Sequence, residues 1–425
     1  MKHIIISECY DQLIISDEIS PNSNSITQQQ ADELEQLIKA HKLDERNIIW
    51  GRKTITFINY VGYIGLSNVS IEILPKVSLS EDPIVSRKAL LNMLKKSGLL
   101  DIKFSHASFL NLLSENLFEI FGYLYVVLLE KELKKGLYVD YISSEGNLDV
   151  LKGSLQIREQ IQNISTNKRT KIYCRYEELQ SNNELNQVYK VTNEMLLKKV
   201  RNINTLNKLK HCHSWFSEVD FKSFSPRELD TITLNRLNQR FEPSFLLAKT
   251  FLSNQSPDFK GGKNKSFSIL FEMNKLFETY ISILMKQCTD YEVHVQHQEH
   301  KLLVNESTQR QIYFLKPDIM ISNGEAEIII DTKWKQVQSL YNRHGAKRED
   351  LFQLYAYVTR YKKASSAILL YPHNSSIEER PATILESWYL DSLPEKKIRM
   401  YSISLEDEKV TIDNLTRIIE DNFVL

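Results

Sequence analysis

The sequence predicts a multi-domain α/β protein: a β-rich N-terminal domain over 1–100, a mainly helical middle region over 101–262, and a C-terminal domain over 263–425 in which helices flank a mixed sheet. Three observations carry this prediction. The chain has 425 residues, more than one ordinary domain holds. Two-residue apolar alternation marks the first hundred residues and gives way to a 3.6-residue period from about Ser86. Beyond Ser253–Ser266, which holds Pro257, Gly261, Gly262 and Lys260, Lys263 and Lys265 and reads as a linker, helical and strand patterns alternate.

In chain order, His3–Ser7 and Gln12–Ser16 read as short strands, and Thr27-Gln28-Gln29-Gln30 is a capping box opening a helix to about Lys42. Thr54–Val61 and Val69–Leu74 alternate around Gly62 and Gly65 as a hairpin or bulged ribbon leading to Pro75-Lys76. Ser105–Lys135 carries a helical apolar stripe that ends at Gly136, a residue suited to a C-terminal cap. Leu151–Leu155 is a turn and strand, and Asn183–Lys199 is an amphipathic helix. A helix is expected over Phe267–Gln287, a strand over Tyr291–Val304, a hairpin over Gln311–Trp334, a helix over Lys347–Tyr361 and a strand over Ala367–Tyr371. Further strands and a terminal helix close the chain.

With 42% apolar and 25% charged residues the chain can bury sizeable cores. Lys+Arg and Asp+Glu number 54 each, so no global positive field draws it to nucleic acid; any DNA contact needs a local patch or a partner that supplies affinity. Cys9, Cys174, Cys212 and Cys288 are scattered, and no secretory signal is read, which points to reduced thiols in a cytoplasmic protein. Phe109–Leu129 contains Asn111, Glu115, Asn116 and Glu119, so it reads as a buried helix and not a membrane span. No repeat is visible.

The chemistry concentrates in Leu315-Lys316-Pro317-Asp318 and, thirteen residues after Asp318, Asp331-Thr332-Lys333. Gln311–Ile321 and Ala326–Trp334 read as strands joined by the turn residues Ser322-Asn323-Gly324-Glu325. A loop at Asn323–Ala326 sets Asp318 across from Asp331, with Lys333 on the same face. Among apolar neighbours such carboxylates are costly unless a metal or hydrogen bonds compensate, and two like charges facing each other at a mere solvent edge would repel. A carboxylate pair beside an ammonium is a magnesium site with a base or charge stabiliser, used most often for phosphodiester hydrolysis.

Glu278 shares a helix face with Asn274 and precedes the hairpin in the order of a third carboxylate ligand; an isolated mid-helix glutamate is more often merely solvated. Gln353 and Tyr357 share a helix face and can hold a phosphate or orient the lysine, although Tyr357 also suits core packing. His294, His297 and His300 are discounted as a metal site, since a strand would send His297 to the opposite face. His211-Cys212-His213 lacks the second half of a zinc motif. Gly261-Gly262-Lys263-Asn264-Lys265-Ser266 fails the spacing of a phosphate-binding loop, so the chain should not hydrolyse nucleoside triphosphates by itself.

Pro317-Asp318, Asp331-Thr332-Lys333, the upstream Glu278 and the downstream Gln353 and Tyr357 together resemble the PD-(D/E)XK nuclease superfamily, and more closely the McrC subunits of McrBC-type modification-dependent restriction systems. Met273–Glu278, Asp350–Tyr357, Gly62–Gly65 with Ile73–Lys76, and less sharply Asn182–Asn186 extend the likeness. The resemblance implies a restriction-endonuclease-like C-terminal domain and an N-terminal region that binds a McrB-like AAA+ GTPase hexamer and stimulates it. The motor, in that family, recognises modified cytosine and translocates double-stranded DNA. It also implies a Mg²⁺ ion, with Mn²⁺ as substitute, held by Asp318, Asp331, the Thr332 carbonyl and Glu278. Lys333 would position or deprotonate water, with Gln353 and Tyr357 in support. Iron–sulfur relatives need cysteines after the Gln353 helix, and none follows Cys288. The rival expectation is a non-catalytic subunit that activates and assembles the partner.

Overall fold

The computed structural model describes residues 2–16, 23–41, 43–75, 82–99, 112–165, 170–253, 266–335 and 337–423. It is a mixed α/β structure in two compact units, Met1–Leu117 with Ser256–Leu425, and Phe118–Gln255. Most of the expected linker lies outside the described residues, as do Lys76 and the start of the stripe at Ser105. No described helix is long and apolar enough to cross a membrane.

The first unit holds two four-stranded sheets, built from N-terminal strands and, in one of them, from Phe267–Glu272 as well. One runs Ser25–Ile26, Leu13–Ile15, Thr54–Phe57, Ile48–Trp50; the other runs Lys2–Ser7, Val69–Leu74, Tyr60–Leu66, Phe267–Glu272. The helix Gln28–Ala40 starts at the capping box of Thr27 and Gln30 and buries Ala31, Leu34, Leu37 and Ile38 among the strand residues Ile4, Ile55 and Ile71. The expected strand Thr54–Val61 is two strands, because Asn59 takes φ +67° between them and sends Thr54–Phe57 to the other sheet.

Phe267–Glu272 corrects the sequence expectation: it is a strand antiparallel to Tyr60–Leu66, and the helix begins at Met273 and runs to Cys288. Ser268, Ile269 and Leu270 suit either state locally; the open edge of Tyr60–Leu66, a long-range partner, decides it. Gly62 permits the pairing. It holds φ +142°, and a Cβ there would stand 1.9 Å from the Ile269 carbonyl oxygen.

A six-stranded sheet follows in the order Glu292–Val295, Ile319–Ser322, Glu327–Thr332, Ala364–Pro372, Leu393–Ile403, Ile384–Leu390. Glu327–Thr332 is antiparallel to Ile319–Ser322 and parallel to Ala364–Pro372. The helix Arg348–Arg360 packs Leu354, Tyr357 and Val358 with Ile329 and Leu369. The expected long strands on either side of the hairpin break. Lys301–Val304 and Gln311–Phe314 form a separate two-stranded ribbon, and Leu315–Asp318 leads from it into the large sheet. Positive φ at Gln296 and Tyr313 and the ring of Pro317 interrupt the ladders there.

The helix Leu117–Leu133, nearly all of it in the second unit, follows a break at Ser114–Asn116 and ends before Gly136 at φ +109°. Tyr125, Tyr189 and Phe251 interlock in the core of that unit, and the Tyr125 hydroxyl donates to Asn193 Oδ1 at 2.9 Å. Asn183 caps the helix Glu184–Lys199, and Asp140–Leu148, Ile172–Gln180 and Ser154–Leu155 form a three-stranded sheet.

Gly62→Ala should destabilise the protein by on the order of 3 kcal/mol or more, because the new methyl meets backbone and the positive φ disfavours any side chain. Thermal melting of the variant checks this. A melting temperature equal to the parent's would mean that the Phe267–Glu272 pairing is looser than described.

Candidate active site

The site is built at one end of the strand Glu327–Thr332. Pairing runs Ser322 with Glu327, Ile321 with Ile328, Met320 with Ile329 and Ile319 with Ile330, so the next step of the register sets Asp318 opposite Asp331. Along the strand, Ile329, Asp331 and Lys333 alternate to one face. Ile329 lies in the core with Leu354 and Tyr357, and so Asp331 and Lys333 lie on the side covered by the helix Arg348–Arg360. That packing buries Asp331, which is 1% exposed.

The Asp318 carboxylate turns to the strand end, where Oδ2 accepts from the Thr332 amide and hydroxyl, both at 2.8 Å. Lys333 Nζ stands 2.5 Å from Asp331 Oδ2 and 3.8 Å from Asp350 Oδ1, and donates to Gln353 Oε1 at 3.0 Å. Gln353 Nε2 donates to the Tyr357 hydroxyl at 2.8 Å, which donates to the Lys316 carbonyl at 3.0 Å. This chain has one direction, so each member fixes the next: the Lys316 carbonyl orients Tyr357, Tyr357 orients the amide, and the amide holds the ammonium.

Glu278 is half-buried on the helix Met273–Cys288. Its Oε1 accepts from Gln296 Nε2 at 2.7 Å, while the Gln296 amide N–H donates to the Asp318 carbonyl at 2.8 Å. Gln296 thus bridges two of the sequence-selected acids. No sequence signal marked it, because its place depends on the positive φ that ends the strand Glu292–Val295. Asp350 was missed too. It is 5% exposed and accepts from Lys335 Nζ at 2.8 and 2.7 Å. Its position three residues before Gln353, on the same helix face, was the available signal.

The histidine stretch differs from its expected alternation. Because the strand ends at Val295, the His294 and His297 rings meet at 5.3 Å, and His297 and His300 both pack on Tyr361.

The electrostatics follow from burial. Desolvation raises the Asp331 carboxyl to about 6, Asp318 adds to the rise, and Lys333 opposes it. Desolvation also raises Asp318, against the lowering by the Thr332 donors and Lys333. Glu278 is raised by burial first, with the Asp318 charge adding to it and the Gln296 hydrogen bond opposing. Burial alone would lower Lys333, yet Asp331, Asp350 and Asp318 outweigh it and hold the ammonium above the ordinary lysine value. The same three carboxylates keep the Lys333 ammonium in its charged form.

Among the described residues no three His, Cys, Asp or Glu side chains are gathered as a metal cage, so Asp318, Asp331 and Glu278 do not form a ready three-carboxylate set. The residues present still fit a magnesium ion. Asp331 Oδ2 is buried, and the group that faces it is the Lys333 ammonium. Mg²⁺ binds through one or two carboxylates while keeping several waters, and needs no full protein cage.

Comparison with known proteins bears on the whole arrangement. A family model described as "McrBC 5-methylcytosine restriction system component" matches residues 55–372. No curated protein matches the chain. Among solved structures, a chain of the refined half-complex from a tetradecameric assembly of Thermococcus gammatolerans McrB AAA+ hexamers with bound McrC is 20% identical, with 99% of each chain covered and a TM-score of 0.74. A chain of the cryo-EM structure of the Thermococcus gammatolerans McrBC complex is 22% identical over 68% of this chain and 89% of that one, with a TM-score of 0.51. At these identities the likeness is one of fold.

The raised Asp331 carboxyl sets a sign for stability. Its folded value of about 6 exceeds the ordinary value of 3.8, so the folded state holds the extra proton between them, and the associated stability is present below pH 3.8 and lost as pH rises through about 6. Without divalent ions, Asp331→Asn should melt about 2–4 °C above the parent at pH 7.5. The difference should vanish near pH 4. A variant less stable than the parent at pH 7.5 would show that the Lys333 ion pair outweighs the burial of the carboxylate.

Proposed function

The chain belongs to the McrBC family of 5-methylcytosine restriction system components, and from that premise we propose that it is the metal-dependent DNA endonuclease subunit of such a system. On this reading residues 263–425 carry the PD-(D/E)XK arrangement, residues 1–100 contact the motor partner, and 101–262 form the helical region between them. Asp318 and Asp331 would hold Mg²⁺, or Mn²⁺ in its place, with the Thr332 carbonyl as a further ligand and Glu278 acting directly or through water. The bound ion supplies an acidified water and a polarised phosphoryl oxygen. Lys333 presents its ammonium to charge developing on the phosphorane, and Gln353 and Tyr357 keep it aimed.

The observation that carries the reading is the buried Asp331 carboxylate, set in register with Asp318 and faced by Lys333. At a purely structural strand end, two such facing acids add repulsion and a desolvation cost. The partner we propose is a McrB-like AAA+ GTPase hexamer, supported by the McrB hexamers with bound McrC in the similar solved structure. The zero net charge supports a division of labour in which the motor recognises modified cytosine and holds double-stranded DNA while this chain cuts.

With the partner, GTP and Mg²⁺ present, the chain should nick modified plasmid DNA, and Asp331→Ala or Lys333→Ala should slow nicking at least roughly 100-fold. Stimulation of the partner's GTP hydrolysis should persist in both variants. Undiminished nicking in either variant rules out the site, and stimulation without any cleavage by the parent makes the chain a non-catalytic activator. Alone, the chain should bind DNA weakly and lose it steeply with salt; tight, salt-insensitive retention in a gel-shift assay contradicts the division of labour.

A further inference from the structure

Residue Glu8 lies more than three hundred positions before the lysine of the site, yet it holds the residue next to it. Glu8 follows the strand Lys2–Ser7 and is 3% exposed. Its Oε1 accepts from the Trp334 indole Nε1–H, and its Oε2 accepts from the Asn59 amide at 2.9 Å. Trp334 is 5% exposed, directly follows Lys333, and meets the Phe277 ring edge-on at 5.3 Å. Phe277 directly precedes Glu278.

Asn59 closes the circuit. Held at φ +67° and 4% exposed, it accepts the Met273 amide on its carbonyl at 2.9 Å and the Asn274 amide on Oδ1 at 2.6 Å. Those are first-turn N–H groups of the helix that carries Glu278, the groups a helix cannot satisfy itself. One buried carboxylate and one buried amide therefore tie the lysine segment to the glutamate helix.

A glutamate is an expensive choice for this place. Among the described residues its partners are two N–H donors and no cation, and burial pushes its carboxyl up to about 8 against both hydrogen bonds. An apolar residue would fill the volume without that penalty, but it could not accept from Asn59 and Trp334 together.

The geometry points to Glu8 and Trp334 as positioning residues for cleavage, which fix Lys333 against Asp331 and Gln353 and set the register of the Glu278 helix against them. This rests on the nuclease reading above. The pair touches no reacting atom and acts through the Lys333 backbone and the Phe277 ring.

The test uses the full chain with its partner, GTP and Mg²⁺, and compares Glu8→Ala, Glu8→Gln, Trp334→Phe and the double variant Glu8→Ala/Trp334→Phe. Trp334→Phe keeps a ring against Phe277 and removes only the N–H. Glu8→Ala and Trp334→Phe should each lower kcat roughly tenfold with KM unchanged. The double variant should lose no more than either alone, and Glu8→Gln, which keeps one of the two acceptor oxygens, should recover part of the rate. In parallel, labelling of Lys333 by an amine-reactive reagent, read by mass spectrometry on the metal-free chain, should rise several-fold in the impaired variants. Losses that add in the double variant and track its melting temperature, or unchanged kcat with unchanged labelling, overturn the assignment. If the parent itself does not cut, the nuclease reading falls, and the Lys333 labelling alone decides the positioning claim.

Discussion

A strand admits only two phases, and the turn at Asn323–Ala326 selects one of them. Asn323 N–H bonds the Ala326 carbonyl at 3.2 Å, and its Oδ1 accepts the amides of Glu325 and Ala326. Once that turn closes, Ile319 must meet Ile330 and Asp318 must come level with Asp331. A slip of one residue would send Asp331 and Lys333 to the opposite face and carry Ile328 and Ile330 out of their places. The apolar residues that flank the acids thus enforce the register that brings the acids together, so the hydrophobic pattern and the polar site depend on the same alignment.

What that alignment produces is an unfavourable cluster held by a favourable frame. Asp331 is buried, raised by desolvation and by its neighbour, and compensated by an ammonium that Asp350 and Gln353 also hold. The frame that pays for it is the core of Ile329, Leu354, Tyr357, Leu369 and Met400 beneath. Placing the costly groups beside a rigid core keeps them from relaxing into water.

The acidic pair, the lysine and the Gln353–Tyr357 step were legible because each rests on local spacing: a hairpin register, a two-residue step, a helical four-residue step. The capping box at Thr27 and the Asn183 helix start were legible for the same reason. Gln296 and Asp350 were not singled out. Gln296 reaches Glu278 only because its own backbone leaves the strand, and Asp350 matters only because Lys333 and Lys335 arrive from another element. The strand Phe267–Glu272 was misread for a related reason, since its six residues carry no preference strong enough to resist an open sheet edge far away in sequence.

By itself the sequence determined the periodicities, the turn and the order of the polar residues, because these express interactions between near neighbours along the chain. Only the tertiary structure decided that Glu8 and Asn59 grip the segments carrying Lys333 and Glu278, and that Met1–Leu117 and Ser256–Leu425 make one compact unit. Such contacts form between residues hundreds of positions apart, where no local propensity or spacing records which donor will find which acceptor. They exist because burying the shared core brings those groups together and leaves their N–H and carboxylate partners no water to turn to.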